Sequence, residues 1–462
     1  MSSSNSIHNP PVHSNLGTNP FSTPIRLSRA PTEDERSGSG RPYSYFPTSG
    51  VNGPHQPRRR KFKSARLVDG EYDEKPWAAT KHPKLKWERI TFYGSIGLGF
   101  VIGALLCYMA YAKVTNHTYC LIMDDQFRTI DKSIWNFEIQ RGGFGSGTFE
   151  WTTDDPKNAY TDELGLHIVP TLTTETTKIT KDQLIDNFVL NLTTDGTCTA
   201  KEIEDCSIRS NKTAGTIINP VRSARLSTKG KKSIVYGKVE VVAKMPKGNW
   251  LWPAIWMMPE KDTYGKWPAS GEIDIAESRG NFGDQYPSGG RDALIGALHW
   301  GPVPEADAFY KTSGQNRVRR TDYSEAFHTF GLEWSEDYLF TYIDSRLLQV
   351  FFIKFNKYRS MWDRGGFGRA IVNHSALFDP WSQTGRHSTP FDHPFYLILN
   401  VAVGGTNGFF PDGTGNKPWG DKSPTAPKEF WDSQSSWYPT WGEGDKRGLT
   451  VKSVKMWRQG AC

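Results

Sequence analysis

The chain of 462 residues predicts an all-β fold over residues 121 to 462, a two-sheet sandwich or jelly roll. Three observations predict it. First, apolar and polar residues alternate with period two: in "YGKVEVVAKM" Val239, Val241 and Ala243 share one face, and Lys238, Glu240 and Lys244 share the other. Second, Gly and Pro interrupt the chain often enough to keep elements short, with 44 and 29 occurrences. Third, outside one apolar segment no long stretch repeats with the 3.6-residue period of a helix. Short strands joined by long loops make sandwiches, whose concave face accommodates an elongated ligand.

The elements follow in chain order. Residues 1 to about 57 are rich in Ser, Pro, Asn and Gly without sustained apolar periodicity. Such a segment buries too little apolar surface to offset its chain entropy, so disorder is expected. The run "RRRKFKSAR", residues 58 to 66, carries six basic side chains and reads either as a nuclear import signal or as a basic patch facing lipid. The next segment favours the second reading. From Ile90 to Ala112, "ITFYGSIGLGFVIGALLCYMAYA" contains no charge. As a helix it extends about 34 Å, enough to cross a hydrocarbon core of about 30 Å. Lys75, Lys81, Lys84, Lys86 and Arg89 precede it and only Lys113 closely follows. That bias predicts a single-pass type II membrane protein: residues 1–89 form a cytoplasmic tail, 90–112 the membrane helix, 113–120 a stalk, and 121–462 a lumenal or extracellular domain.

Charge excludes one class of partner. Residues 1 to 89 hold 15 Lys and Arg against 8 Asp and Glu, and the remaining chain carries 41 of each sign. The outer domain therefore lacks the net basic charge that binding to nucleic acid requires. Its aromatic content suits flat apolar faces such as sugar rings, because 17 of the residues are Trp. Four sequons, at Asn116, Asn191, Asn211 and Asn373, all follow the apolar helix and none precedes it, as N-glycosylation on the far side of the membrane would require. Cys107 falls within the helix, and four cysteines lie beyond it. Cys198 and Cys206 enclose a short loop, while Cys120 and Cys462 mark the ends of the domain, giving two candidate disulfides among three possible pairings. No His partners at ligand spacing point to a cysteine metal site.

Within the domain, "YLFTYIDSRLLQVFFI" reads as two strands joined at Asp344 and Ser345, and "FYLILNVAVGG" as a further buried strand. One strand departs from the pattern. "GEIDIAES" places Glu272, Asp274 and Glu277 inside an apolar run, where unpartnered carboxylates are costly to bury. Glu272 and Asp274 share a face because they are two apart. Glu277 is three further on and joins them only if a β-bulge near Ile275 or Ala276 inserts one residue. Paired carboxylates on one face are the requirement of glycoside hydrolysis, in which one attacks or stabilises the anomeric carbon and another protonates the leaving oxygen.

The motif "GEIDIAE", with "GNWLWPAIWMMP" and "KWPAS" before it and "ALHWGP" after it, resembles glycoside hydrolase family 16, in particular its laminarinase-like, bulge-containing members. "SARLSTKG", "YGKVEVVAKMPKG", "FHTFGLEWSEDYLFTYID" and "PFYLILNVAVGGTNGFFPDG" extend the resemblance over most of residues 121 to 460, toward invertebrate β-1,3-glucanases and β-1,3-glucan recognition proteins. The resemblance implies a concanavalin A-like jelly roll and a β-glucan partner. It implies Glu272 as nucleophile, Asp274 as assisting carboxylate and Glu277 as general acid and base of a retaining reaction. It further implies that Trp252, Trp256, Trp267, His299 and Trp300 line the sugar cleft. Departures from the family pattern are equally legible. Gln126 in "DDQF" stands where related domains carry a calcium-binding Glu, which argues against a structural calcium and leaves no cofactor expected. Ser146, Gly147 and Thr148 replace an Asn-rich sugar-contacting pattern. Extra residues fall in loops near 171–220 and 359–393, where they could cover the cleft or dock partners. Two functions are compatible with the whole: a membrane-tethered β-glucan hydrolase or transglycosylase, or a protein that binds β-glucan or serves cell-wall and β-1,6-glucan assembly without turnover.

Overall fold

The computed structural model describes residues 83–112, 117–283, 286–355 and 359–462. Most of the N-terminal tail, the basic run at 58–66, half of the stalk (113–116) and with it the sequon at Asn116 lie outside the described residues. Helix α1 (Lys84–Ala112) contains the whole apolar run and begins six residues before it, at Lys84. It is long and apolar enough to cross a membrane, and none of its side chains is buried by other parts of the protein. Apolar residues surround it on every side of the run 90–112, so it lacks the single apolar stripe of an amphipathic helix.

The β unit contains two eight-stranded sheets. Their strands, in chain order, are β1 (Tyr119–Asp125), β2 (Asn136–Phe137), β3 (Ala159–Asp162), β4 (Gly165–Ile168), β5 (Arg225–Ser227), β6 (Ser233–Ile234), β7 (Gly237–Lys244) and β8 (Leu251–Pro259). They continue with β9 (Glu272–Glu277), β10 (Ala293–His299), β11 (Ser313–Arg317), β12 (His328–Trp334), β13 (Tyr338–Ile343), β14 (Ser345–Lys354), β15 (Phe395–Val403) and β16 (Leu449–Gln459). The outer sheet runs β14-β13-β12-β7-β16-β4-β3, with β1 on β16; the other, called here the cleft sheet, runs β11-β10-β9-β8-β15-β5-β2, with β6 on β15. All these pairings are antiparallel.

The alternation in β7 persists in the structure: Val239, Val241 and Ala243 are fully buried, while Lys238, Glu240 and Lys244 are partly exposed. These residues join Phe330, Leu332 and Trp334 of β12 and Leu397, Leu399 and Val401 of β15 in one core. Trp334 meets Phe395 of the opposite sheet edge-on at 5.5 Å between ring centroids, so aromatic packing joins the two layers. The hairpin β13–β14 turns on Asp344 alone. Ser345 already belongs to β14, and Asp344 adopts a left-handed φ of 59° while its carboxylate accepts from Thr329 N at 2.9 Å. The disulfides join Cys120 to Cys462 and Cys198 to Cys206, while Cys107 is free and exposed. Of the sequons, Asn211 and Asn373 are exposed. Asn191 is half-buried, its side-chain oxygen accepting from Thr193 N at 2.9 Å.

Candidate active site

Strand β9 enters through Gly271, whose φ of +82° suits a residue without a side chain and where a Cβ would come within 3.0 Å of the Phe391 ring. Its pairing reveals the inserted residue. Ile255 of β8 faces Ala276 and Trp256 faces Asp274, so Ile275 has no partner on β8; Asp274 and Glu277 likewise face Ala297 and Ile295 of β10, three positions against two. This bulge lets Glu277 lie opposite Ala254 while Asp274 lies opposite Trp256, two residues away on one face of β8. Cross-strand rows then form over the cleft sheet. One row runs Gln315, Ile295, Glu277, Ala254, Asn400, Arg225; the next runs Ser313, Ala297, Asp274, Trp256, Ile398, Ser227; Glu272 pairs with His299 beyond them. The structure thus brings the three acids to one surface.

Each acid has a particular partner. Trp252 Nε1 donates to Glu277 Oε1 at 2.7 Å, and Trp267 Nε1 donates to Glu272 Oε2 at 2.6 Å. His299 Nε2 lies 3.3 Å from Asp274 Oδ2, an ionic contact without full hydrogen-bond alignment. Its other nitrogen, Nδ1, meets Asp307 Oδ2 at 2.5 Å.

Burial dominates the electrostatics. It raises Glu272, aided by the negative charge of Asp274, while His299 and the Trp267 indole oppose the rise. Burial and the charge of Glu277 raise Asp274, against the pull of His299. Burial pushes Glu277 up to about 7, partly offset by the Trp252 indole. For His299 burial favours the neutral ring, but its contacts with Asp274 and Asp307 and the charge of Glu272 outweigh that and hold it well above its ordinary value. A carboxyl that stays protonated near neutrality beside an imidazolium is equipped for general acid work.

The expected aromatics divide. Trp252 is half-buried and stacks on Phe409 at 3.9 Å and 6°. Trp256 donates to Asn400 Oδ1 at 2.7 Å and lies under the Arg225 guanidinium at 4.7 Å. Trp267 is 38% exposed and presents an open apolar face. Trp300 does not line the cleft, which corrects the expectation for it: the strand's alternation turns it away from His299. It is wholly buried with Phe367 and Trp381, and its Nε1 donates to Thr312 Oγ1 at 2.7 Å. Part of the 359–393 insertion is therefore core.

Sequence reasoning missed Arg225, Asn400, Asp307 and Phe409. Asn400 carried the same signal as the acids, a polar residue within the apolar run "FYLILNVAV". Arg225 is buried and pairs with Glu138 at 2.6 Å, in a stretch too short to show a pattern. Phe409 is held by Arg279, whose Nε donates to its carbonyl at 2.8 Å and whose guanidinium lies 4.3 Å over its ring.

Among the described residues, two clusters bring donor atoms within 4.8 Å of one another: Glu272, Asp274 and His299, and Asp162, His167 and Asp445. In the second, His167 Nε2 bonds Asp162 Oδ1 at 2.7 Å; in the first, Glu272 accepts from Trp267 and His299 is paired with Asp307. Near Gln126 the residues do not fit the calcium ion that the family pattern implies. Asp125 accepts from Phe127 N and Trp135 Nε1, each at 2.8 Å, and Asp124 accepts from Gln126 Nε2 at 2.5 Å with Lys455 at 3.4 Å. Protein N–H groups and an ammonium already occupy the side a hard cation would take.

With this geometry in hand, similarity to known proteins is informative. A β-1,3-glucan-binding protein of Penaeus monodon is 40% identical over 346 residues, spanning 73% of this chain and 90% of the relative. A glucan endo-1,3-β-glucosidase of Cryptopygus antarcticus is 30% identical over 309 residues, covering 66% of this chain and 87% of that protein. The laminarinase structure from Rhodothermus marinus superposes with a TM-score of 0.45 at 24% identity, covering 75% of this chain and 100% of that one. Residues 173–362 match the family model described as glycosyl hydrolases family 16. The matched span contains the acid-bearing strand and its bulge, and with the extent of the Penaeus monodon similarity it establishes that this chain belongs to glycosyl hydrolases family 16.

Proposed function

We propose that the protein is a retaining β-glucan endo-hydrolase or transglycosylase acting on β-1,3-linked glucan, anchored in a membrane by α1 with its catalytic domain lumenal or extracellular. The observation that carries this reading is the bulge at Ile275, which aligns Glu272, Asp274 and Glu277 on one face. In this reading Glu277 gives its proton to the glycosidic oxygen as Glu272, in its ionised form, attacks the anomeric carbon and the leaving sugar departs. The glycosyl ester on Glu272 is then opened by water or a sugar hydroxyl whose proton returns to Glu277. His299 offsets the charge of Asp274 and Glu272 while the nucleophile is an anion. Trp267 and the Trp252–Phe409 stack offer apolar faces to sugar rings on either side. A relative named for endo-1,3-β-glucosidase activity supports the linkage.

A second reading, glucan binding without turnover, is favoured by the 40% identity to a protein named for β-1,3-glucan binding. One experiment separates them. Full-length protein in detergent micelles is incubated with defined β-1,3, mixed-linkage and β-1,6 oligosaccharides. Shorter products alone mean hydrolysis and longer ones mean transfer; binding without products leaves the second reading. If the first reading holds, Glu272→Gln loses about a thousand-fold or more in turnover while oligosaccharide affinity stays within a few-fold.

A further inference from the structure

We infer that Asp307 is a positioning residue for the proposed glucan chemistry, gripping His299 so that its far nitrogen stands as a fixed cation beside Asp274. The inference rests on the catalytic reading above, but its geometry is independent of any substrate. Asp307 lies in the loop after β10, and its side chain is only 11% exposed. Both of its carboxylate oxygens are engaged: Oδ2 meets His299 Nδ1 at 2.5 Å, and Oδ1 accepts from Trp300 N at 3.1 Å and Phe309 N at 3.2 Å. The backbone is tied at the same point, with Ala308 N donating to Trp300 O at 2.9 Å. The imidazole is held on its faces as well, stacked on Phe309 at 4.9 Å and 19°, with the Trp267 ring at 5.8 Å.

The consequence concerns charge. His299 presents Nδ1 to Asp307 and Nε2 to Asp274. A neutral imidazole carries one N–H, whereas the imidazolium turns a positive N–H edge to each of the two carboxylates at once. The charged groups that face the ring are Asp274, Glu272 and Glu277 on β9 and Asp307 in its own loop; Trp267 and Phe309 are neutral. Three of these four acids belong to the reaction. Asp307 is the one that does not, and it holds the proton on the ring through the nitrogen remote from the chemistry.

Asp307→Asn isolates this role. The amide oxygen can still accept from Trp300 and Phe309, but its NH2 presents a donor to Nδ1, so the ring becomes neutral. Without the cation, Glu272, Asp274 and Glu277 all hold their protons to higher pH. Both limbs of the kcat/KM profile on a β-1,3-glucan oligosaccharide therefore move to higher pH, with a loss of about ten-fold at pH 5 and less than about three-fold at pH 8. Asp307→Glu, which keeps the charge, restores the limbs toward their original positions. Unmoved limbs with a uniform drop at every pH mean that Asp307 merely supports the loop, and overturn the inference.

A second measurement does not depend on turnover. In histidine-labelled full-length protein in micelles, His299, identified by the loss of its resonance in His299→Gln, stays protonated at pH values where an ordinary histidine is neutral, and titrates at lower pH in Asp307→Asn. A neutral His299 at pH 7 in the unaltered protein, or an unchanged titration in the variant, overturns the inference even if Asp307→Asn folds poorly. Absence of any product from the unaltered protein, with the His299 titration as expected, removes the catalytic reading but leaves the grip of Asp307 intact.

Discussion

Strands β9 and β16 both contain one residue more than the strand beside them, and they use it differently. In β16 the extra residue is Lys452: Val242 of β7 faces Ser453 and Ala243 faces Val451. Val451 and Val454, three apart, consequently both reach the core, and Lys452 is exposed. In β9 the extra residue is Ile275, and the pair kept on one face three apart is Asp274 and Glu277. The backbone device is the same; the chemistry comes from which face holds the doubled pair. Facing the core, it preserves packing. Facing the cleft, it assembles acids whose burial raises every one of them.

Variants that break this comparison have the largest expected effect. Inserting one Ala between Ala276 and Glu277 turns the acid toward the core face. Turnover falls by about a thousand-fold or more. The melting temperature drops too, because a buried unpaired carboxyl costs about 3 kcal/mol or more. A folded variant that retained activity in a reducing-sugar assay would defeat the face argument.

Next comes Glu277→Gln. Its turnover falls by about a hundred- to ten-thousand-fold on an unactivated oligosaccharide. Stability moves in the opposite direction and depends on pH. Glu277 ionises near 7 in the folded protein against an ordinary value of 4.5, so the folded state holds its proton more tightly. Its stabilising effect is full below the ordinary value and is lost as pH rises through the folded one. Thermal melts at pH 8 therefore show the Gln variant more stable by about 1–3 kcal/mol, and those at pH 4 show little difference. Equal gains at both pH values contradict the buried-acid account.

The smallest effects come from a matched pair of deletions. Removing Lys452 gives β16 ordinary alternation with Val451 and Val454 still on the core face; activity is unchanged and stability falls by less than about 1 kcal/mol. Removing Ile275 leaves Glu272, Asp274 and Glu277 at strict two-residue spacing, still on one face and with Glu277 still opposite Ala254, but removes the local bend of the bulge that aims its side chain. Activity falls roughly ten-fold, as a misplaced catalytic group implies, instead of vanishing. Complete loss in the Ile275 deletion, measured beside a normal Lys452 deletion, means that the bulge sets more than the side of the sheet.

Much of this was legible because strand stereochemistry is local. A period of two is visible in "YGKVEVVAKM", and a three-residue spacing between acids in an apolar run demands an inserted residue wherever the strand pairs. The identical shift in "LTVKSVKMW" was equally available, but a lysine between valines raises no question about cost. Trp300 was misplaced because His299 and Trp300 are neighbours in sequence, and the same alternation sends them to opposite sides. Asp307 was invisible because its value lies in three contacts made by a loop that has no period. Asn400 and Arg225 join the row of Glu277 only through pairing between segments more than a hundred residues apart.

The amino-acid order alone determined which side chains must share a side of a strand, that one residue had to be inserted beside the acids, and that one segment is long and apolar enough to cross a bilayer. These follow from bond geometry and transfer free energy, which act within a few residues. Register between distant strands, the depth at which each carboxyl is buried, the separation of cleft tryptophans from core ones, and the hold of Asp307 on His299 were decided only in the folded chain. Desolvation and charge pairing depend on everything within several ångströms of a group, and most of those neighbours are remote in sequence.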